Sequence, residues 1–391
     1  MNQYDTQSIR ERFIKAGFKE VTNSNKADTY LINTCTVTSS ADNKSKSVIL
    51  RAIRENPLGK VIVTGCMVKK DRYLLSKLKG VSFIVSKTFF RDGISNFSAH
   101  TRAFLKIQDG CNNSCSYCKV PLVRGRSRSR PLSEILNDAE LLAEQGFKEI
   151  VLSGICLGSY GQDLTPKSNL VDVIDCLDKI KGVLRIRLSS IEAGDVSDSL
   201  ISVFSKSKKL CHHLHIPIQS GDDQILKKMK RRYNAKFYLK LIGKIRKNIP
   251  DIAITTDCLV GFPGETQKNF MNTLKLVKRI QPLRVHIFPY SKREGTLSGM
   301  VLGQDVDKDI IKKRIELLKQ IALTCASNFK RDFIGQDTPV LFEAKSKEKQ
   351  GYWEGYTGNY IKVLFKSNGL LKNKLIKVRL KSMSGELVFA S

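Results

Sequence analysis

Apolar residues in this chain keep two rhythms. Over residues 4–16, 40–55 and 72–78 they recur at helical spacing, and between these segments short apolar runs at 29–32, 61–64 and 82–85 read as buried strands. Strands alternating with helices predict a parallel sheet covered by helices. Residues 86–101 show no period and read as a linker. The alternation then resumes. Strands at 103–107, 149–153, 184–188, 213–217, 252–259 and 284–289 are separated by helices at 132–145, 170–180, 196–204, 237–246 and 269–280, and a long charged helix at 307–331 follows. Six such units predict a partial β/α barrel, open on one side, with its chemistry at the carboxyl ends of the strands. From 331 on, short runs at 339–342, 352–356, 360–365 and 376–380, separated by Gly, Asn or Lys, predict a small β-barrel. The expected fold class is α/β: an N-terminal parallel-sheet α/β domain over 1–90, a partial (β/α)6 barrel over 98–330 and a small C-terminal β-barrel over 331–391.

Residues not needed for a core collect at the predicted strand ends. Ser153-Gly154-Ile155 follows the second barrel strand, Ser189-Ser190-Ile191-Glu192 the third, Gln219-Ser220-Gly221 the fourth, Val260-Gly261 through Glu265 the fifth and Pro289-Tyr290-Ser291 the sixth. Taken singly, such glycines make turns. After the first barrel strand comes KIQDGCNNSCSYCKVPLVRGRSRSR, in which Cys111, Cys115 and Cys118 are spaced C-x3-C-x2-C. Three thiolates in one loop suit a cubane iron–sulfur cluster whose fourth iron is left open. The alternative is structural zinc, which wants four ligands in a closed tetrahedron. No second cysteine pair supplies them, although His100 is a candidate fourth.

The ten cysteines are otherwise scattered, too few for a disulfide scaffold in 391 residues. Cys176, Cys211, Cys258 and Cys325 lie among apolar neighbours and read as small core residues. Cys35 in LINTCTVT and Cys66 in VIVTGCMV each follow a strand, where open α/β sheets place their ligands. Packing is the plain reading of both; convergence on one site is the other.

Charge widens the picture. Lys and Arg number 67 against 37 Asp and Glu, a net charge of +30, which points to a polyanionic partner such as nucleic acid. Arg124, Arg126, Arg128 and Arg130 alternate with small residues, so an extended chain would present all four on one face to grip phosphates. Lys227 to Arg232, KKMKRR, is a second basic run, or a surface helix. In the tail, Trp353, Tyr356 and Tyr360 with Lys362, Lys366, Lys372 and Lys374 suit a nucleic-acid surface. No run is apolar enough to span a bilayer and the polar start is no signal peptide, so the expectation is a soluble cytoplasmic protein.

The cysteine loop, with Tyr117 before the third cysteine, resembles the radical S-adenosylmethionine superfamily. The resemblance implies that S-adenosylmethionine chelates the open iron and is cleaved to a 5′-deoxyadenosyl radical. It also implies contacts to that cofactor from Tyr117, Ser153, Gly154, Arg187, Ser190, Gln219, Val260 and Gly261. NTCTVTSSADNKS, VTGCMVKK and LHIPIQSG are similar to methylthiotransferases, whose N-terminal domain holds a second 4Fe–4S cluster that supplies sulfur. Cys35 and Cys66 match the second and third of its three cysteines. The first would lie just upstream of Met1, and the resemblance implies a natural product longer by about a dozen residues, one strand and its turn. A chain starting at Met1 offers that cluster two thiolates only. The tail resembles a TRAM domain.

Within the family, NQYDT and the run IVLSGICLGSYG over 150–161 resemble the branch acting on N6-threonylcarbamoyladenosine in tRNA beside the anticodon. Cys156 is not a residue expected there and reads as incidental. The resemblance implies methylthiolation of carbon 2 of that adenine, with the anticodon arm held by the arginines and tail, and an electron donor such as flavodoxin or ferredoxin. The alternatives are a sibling acting on N6-isopentenyladenosine tRNA or on a ribosomal-protein aspartate, and a non-catalytic iron–sulfur RNA-binding protein.

Overall fold

The computed structural model describes residues 2–21, 27–86, 94, 101–300 and 304–391. Most of the expected linker, and His100 with it, lies outside these residues. Helix α1 (Asn2–Lys15) leads into β1 (Thr29–Thr34), α2 (Ser39–Glu55), β2 (Lys60–Gly65), α3 (Cys66–Ser76) and β3 (Val81–Ile84). The three strands form a parallel sheet in the order β1-β2-β3. Ile32, Val61 and Val63 pack with Ile49 and Ala52 of α2 and Met67 and Leu75 of α3 in a core of their own.

The barrel runs from β4 (Arg102–Lys106) through the short β5 (Gln108–Asp109), α4 (Val120–Arg124) and β6 (Arg128–Ser129) to α5 (Leu132–Glu144), β7 (Glu149–Ser153), α6 (Leu170–Asp178), β8 (Arg185–Leu188) and α7 (Asp198–Lys206). It continues with β9 (His213–His215), α8 (Asp223–Lys228), α9 (Ala235–Asn248), β10 (Ala253–Val260), α10 (Gln267–Ile280) and β11 (Arg284–Pro289). The short α11 (Leu297–Met300) and the long α12 (Lys308–Arg331) close it. All six main strands are parallel, in two sheets, β4-β7-β8 and β9-β10-β11, joined by bridges at Ile186–Leu210 and Ser190–His215. Among the described residues β11 and β4 do not pair, so the barrel is open on that side as expected.

Period two decides what faces where. Ala103, Leu105, Ile150, Leu152, Ile186, Leu188, Leu214, Ile254 and Val260 join the helices in one continuous core. Their alternates, including Arg102, Glu149, Arg187, His215, Asp257 and His286, therefore face the lumen.

The tail folds as β12 (Asp337–Lys345), β13 (Tyr352–Thr357), β14 (Lys362–Lys366), β15 (Leu375–Ser384) and β16 (Leu387–Ala390), a closed barrel in the order β12-β13-β14-β16-β15. That is one strand more than the sequence suggested, because LVFA at the end carries no periodicity to mark it. The small barrel seats on the amino ends of the large barrel's strands. Arg185 Nη1 donates to Tyr356 O (2.8 Å), and Arg187 donates to Gly358 O (3.0 Å) and Thr357 O (3.3 Å). Glu149, fully buried, pairs with Arg187 at 2.6 Å. Burial alone would raise the Glu149 carboxyl, but the guanidiniums of Arg187, Arg102 and Arg185 outweigh it and hold it below the usual range. The Tyr360 ring fills the lumen's lower end, with the guanidinium carbons of Arg187 at 4.6 Å and Arg102 at 5.4 Å and the His213 ring at 4.7 Å.

Candidate active site

The cysteine loop sits over the carboxyl end of β4, and its path depends on a close backbone approach. Gly110 has φ +78°, and a Cβ there would meet Arg126 O at 2.0 Å. Cys111 N donates to Gly125 O at 3.1 Å, closing the loop on the segment after α4. Cys111, Cys115 and Cys118 line one wall of a cavity of about 650 Å³, completed by Pro121, Leu122, Arg126 and Thr296 to Leu297.

The thiols and their surroundings suit a cluster. Burial pushes the Cys115 thiol up and the Cys118 thiol to about 12, so thiolates there need positive charge close by. Arg231 supplies part of it, with Nη1 at 3.4 Å from Cys115 Sγ, while its other nitrogen pairs with Glu192 at 2.7 Å. Among the described residues, three metal-ligating atoms come within 4.8 Å of one another only at His215, Asp257 and His286. At least one pair of the three loop sulfurs is thus more than 4.8 Å apart, wider than the roughly 3.8 Å separation that zinc with Zn–S bonds near 2.3 Å demands. A cubane, with its irons at separate corners, fits this spread, and among the described residues the cavity wall offers cysteine ligands only at Cys111, Cys115 and Cys118.

The second pair of cysteines lies next door. Thr34 and Gly65 are partners in the β1–β2 register, so Cys35 and Cys66, one residue on, leave adjacent strand ends together. Gly65 has φ +98° and lies so close to β1 that a Cβ would meet Thr34 O at 2.3 Å. Cys66 lines a second cavity, about 530 Å³, with Lys69, Arg72, Lys106, Asp109, Arg124, Gly125, Arg126 and Arg128. Gly125 and Arg126 border both cavities. The two cysteine sets are also tied through their neighbours. Lys119, after Cys118, donates to Thr36 Oγ1 at 3.1 Å, and Thr36 follows Cys35. Arg293 fastens the same turn, donating to Thr36 O (2.7 Å) and Ser39 Oγ (3.0 Å) and pairing with Asp42.

Apart from Arg187, the expected cofactor contacts lie on the loop itself or at the carboxyl ends of barrel strands. Tyr117 packs against an apolar cluster of Ile225, Met229 and Phe262, its hydroxyl 3.5 Å from Arg231. Ser153 is anchored to Leu105 O at 3.2 Å. Ser190 pairs with His215 and Gln219, at φ 63°, with Cys258. Gly261 N is held by Glu265 at 2.8 Å, and Glu265 in turn by Arg314 at 2.8 Å. Val260 turns its side chain into the core and offers only backbone.

Four expectations need correction. Arg187 does not reach the cofactor side, because it sits at the opposite end of the lumen with its donors taken by Glu149 and the small barrel. Trp353 is only 4% exposed and forms the core of the small barrel, since β13 turns it inward with Val363 and Val378. Lys362 is held by Glu348 (2.9 Å) and Glu354 (3.0 Å). The four arginines do not share a face, because Arg124 still belongs to α4 and Gly125, at φ +83°, turns the chain after it. Arg124 is buried against Asp109 (2.9 Å) and Arg130 against Asp138 (2.9 Å), whereas Arg126 and Arg128 are exposed at the cavity rims.

Three site residues escaped sequence reading. Arg231 was hidden inside a run of like charges. Gln108 spans the loop base, accepting from Ile155 N (2.8 Å) and Cys156 N (3.0 Å) and donating to Gly110 O (2.8 Å). Cys156, which reads as incidental in the sequence, lies against Cys111 and Asp195, its sulfur 3.2 Å from Asp195 Oδ2. The hydrogen bond between the two thiols lowers Cys111 and raises Cys156.

Comparison with known proteins agrees with this geometry. Residues 105–277 match the Radical SAM superfamily and residues 1–86 match Uncharacterized protein family UPF0004. A protein from Bacillus subtilis named threonylcarbamoyladenosine tRNA methylthiotransferase is 38% identical over 97% of this chain and 91% of its own. One of the same name from Thermotoga maritima is 34% identical, over 100% and 94%. A tRNA-2-methylthio-N(6)-dimethylallyladenosine synthase from Acetivibrio thermocellus is 32% identical, over 98% and 87%. Among solved structures, the radical S-adenosylmethionine methyltransferase TsrM from Kitasatospora setae superposes with a TM-score of 0.53 at 12% identity, covering 76% of this chain and 72% of that one, which speaks for the fold alone.

Proposed function

We propose a function from one premise: this chain belongs to the methylthiotransferase family of radical S-adenosylmethionine enzymes. Membership implies a 4Fe–4S cluster and S-adenosylmethionine. The reaction we assign is methylthiolation of carbon 2 of N6-threonylcarbamoyladenosine in tRNA, next to the anticodon. The single observation that carries it is the junction of two cysteine-lined cavities at Gly125–Arg126, one bordered by Cys111, Cys115 and Cys118, the other by Cys66. Relatives bearing the threonylcarbamoyladenosine name, at 34–38% identity, favour this substrate over the dimethylallyl one, whose bearers stand at 32–33%.

Bound at these sites, a first cluster with S-adenosylmethionine would supply radical chemistry at an unreactive C–H bond, and a second cluster would supply sulfur. Cys111, Cys115 and Cys118 would hold the first, and Cys35 and Cys66 take part in holding the second. The chain's own residues do the rest. Arg231 offsets thiolate charge at Cys115, and Gln108 fixes the Ser153–Cys156 backbone where a methionine amino group would bind. Lys119 and Arg293, by gripping Thr36, hold the two sites in one geometry, so that a carbon activated at one stays within reach of sulfur at the other. Arg126 and Arg128 meet phosphates of the anticodon arm. A one-electron donor of the flavodoxin or ferredoxin kind serves the first cluster.

The test is anaerobic reconstitution followed by incubation with S-adenosylmethionine, reductant and tRNA, with nucleosides resolved by mass spectrometry. A methylthio adduct of threonylcarbamoyladenosine is expected. An adduct only of isopentenyladenosine moves the protein to the sibling reaction, and no adduct with no cleavage of S-adenosylmethionine overturns the assignment.

A further inference from the structure

Between the plugged lower end of the lumen and the cysteine loop lies a polar cluster that neither thiol set uses. In the β9–β10–β11 register His215 pairs with Thr255, and Asp257 with His286, so all face inward. The His213 ring below has no partner at Nδ1, and burial keeps it neutral, which leaves its proton on Nε2, 3.0 Å from Thr255 Oγ1. The Thr255 hydroxyl then donates to His215 Nδ1 (2.9 Å), and His215 Nε2–H to Asp257 Oδ1 (3.2 Å). This relay orients Asp257 but leaves its second oxygen, and both ring nitrogens of the exposed His286, without a hydrogen bond among the described residues. Arg284, two residues before His286 on the same strand face, is exposed, stands 5.7 Å from the Tyr360 ring and makes no ion pair among the described residues. One free acceptor and two free cationic or donor groups thus look into the open side of the lumen.

On an adenine, the C2–H bond and the bond to N6 sit on either side of N1 and diverge. A base presenting C2 to the cysteine loop therefore directs its N6 group elsewhere in the lumen. We propose that Asp257, His286 and Arg284 read the N6 substituent of the target adenosine, Asp257 accepting from a ureido N–H while His286 and Arg284 bind a terminal carboxylate. This rests on the substrate reading above. An apolar isopentenyl group would leave the same groups unpaired, which is the stronger form of discrimination.

The experiment measures kcat and KM for tRNA carrying threonylcarbamoyladenosine and for the same tRNA carrying isopentenyladenosine, with iron and zinc content determined in parallel. Arg284→Met, His286→Phe and Asp257→Asn are each expected to cut kcat/KM on the first substrate by about tenfold or more, mainly through KM, and to lower its advantage over the second. Wild-type turnover of threonylcarbamoyladenosine with an unchanged ratio in all three variants overturns the inference alone. A metal ion beyond the clusters, lost in His286→Phe, makes the trio a metal site and overturns it too. Wild-type protein that methylthiolates neither tRNA overturns the substrate reading, and the inference with it.

Discussion

The two ends of the barrel are built from the same kinds of residue and put to opposite uses. At the amino end, Arg185, Arg187, Glu149 and Tyr360 satisfy one another and the carbonyls of the small barrel. At the carboxyl end, Cys111, Cys115, Cys118, Arg126 and Arg128 border open cavities instead. Buried charge in a network that closes on itself is structure; similar groups facing space are chemistry.

The contrast breaks most sharply at Cys115. Cys115→Ser is expected to reduce S-adenosylmethionine cleavage to background and to remove one cluster's share of iron, while thermal unfolding of the cluster-free protein stays unchanged. Glu149→Ala should do the reverse. It strands Arg187 and Arg185 without a counter-charge, and denaturant titration should read a loss of about 3–5 kcal/mol. Trp353→Ala is expected to cost a similar ~3–5 kcal/mol, from a cavity in the small barrel. Trp353→Phe should recover most of that together with tRNA affinity; stability regained without affinity would return Trp353 to the RNA surface. A smaller effect is expected from Arg126→Ala with Arg128→Ala: weaker tRNA binding and a log–log salt dependence flatter by about 1.4, two phosphates at about 0.7 each.

The smallest effect belongs to the amino end, where His212 and Asp251 pair at 2.7 Å. Their hydrogen bond raises His212 and lowers Asp251. A raised histidine contributes fully below its unfolded value, about 6.5, and the contribution fades as pH rises through the higher folded value. Both groups are substantially exposed, so the gain is under about 1 kcal/mol. Stability measured from pH 5 to 8 should fall slightly more for the wild type than for Asp251→Asn, and identical slopes would remove the pair from the account.

What could be read from the sequence was whatever repeats or clusters locally. The three cysteines within eight positions, the six strand–helix alternations and the equivalent strand-end places of Cys35 and Cys66 are of this kind. What could not be read depends on which end of the lumen a side chain enters. Arg187 and Ser153 both belong to barrel strands, yet one faces the small barrel and the other the cysteine loop, because they lie at different heights on strands whose tilt the sequence does not reveal. Trp353 was misread because an aromatic beside lysines suits RNA and a core equally well, and only the β13 pleat decides. Thr36 and Lys119 meet across 83 positions, a contact with no local trace.

Tyr360 comes from the tail, far along the chain, yet it stoppers the vessel in which the reaction takes place. A shortened protein ending after α12 would not be a minimal catalyst minus an accessory. It would be a pipe open at both ends, its lower mouth lined by Arg185 and Arg187 with only Glu149 to share, and wet where a reactive radical needs dryness.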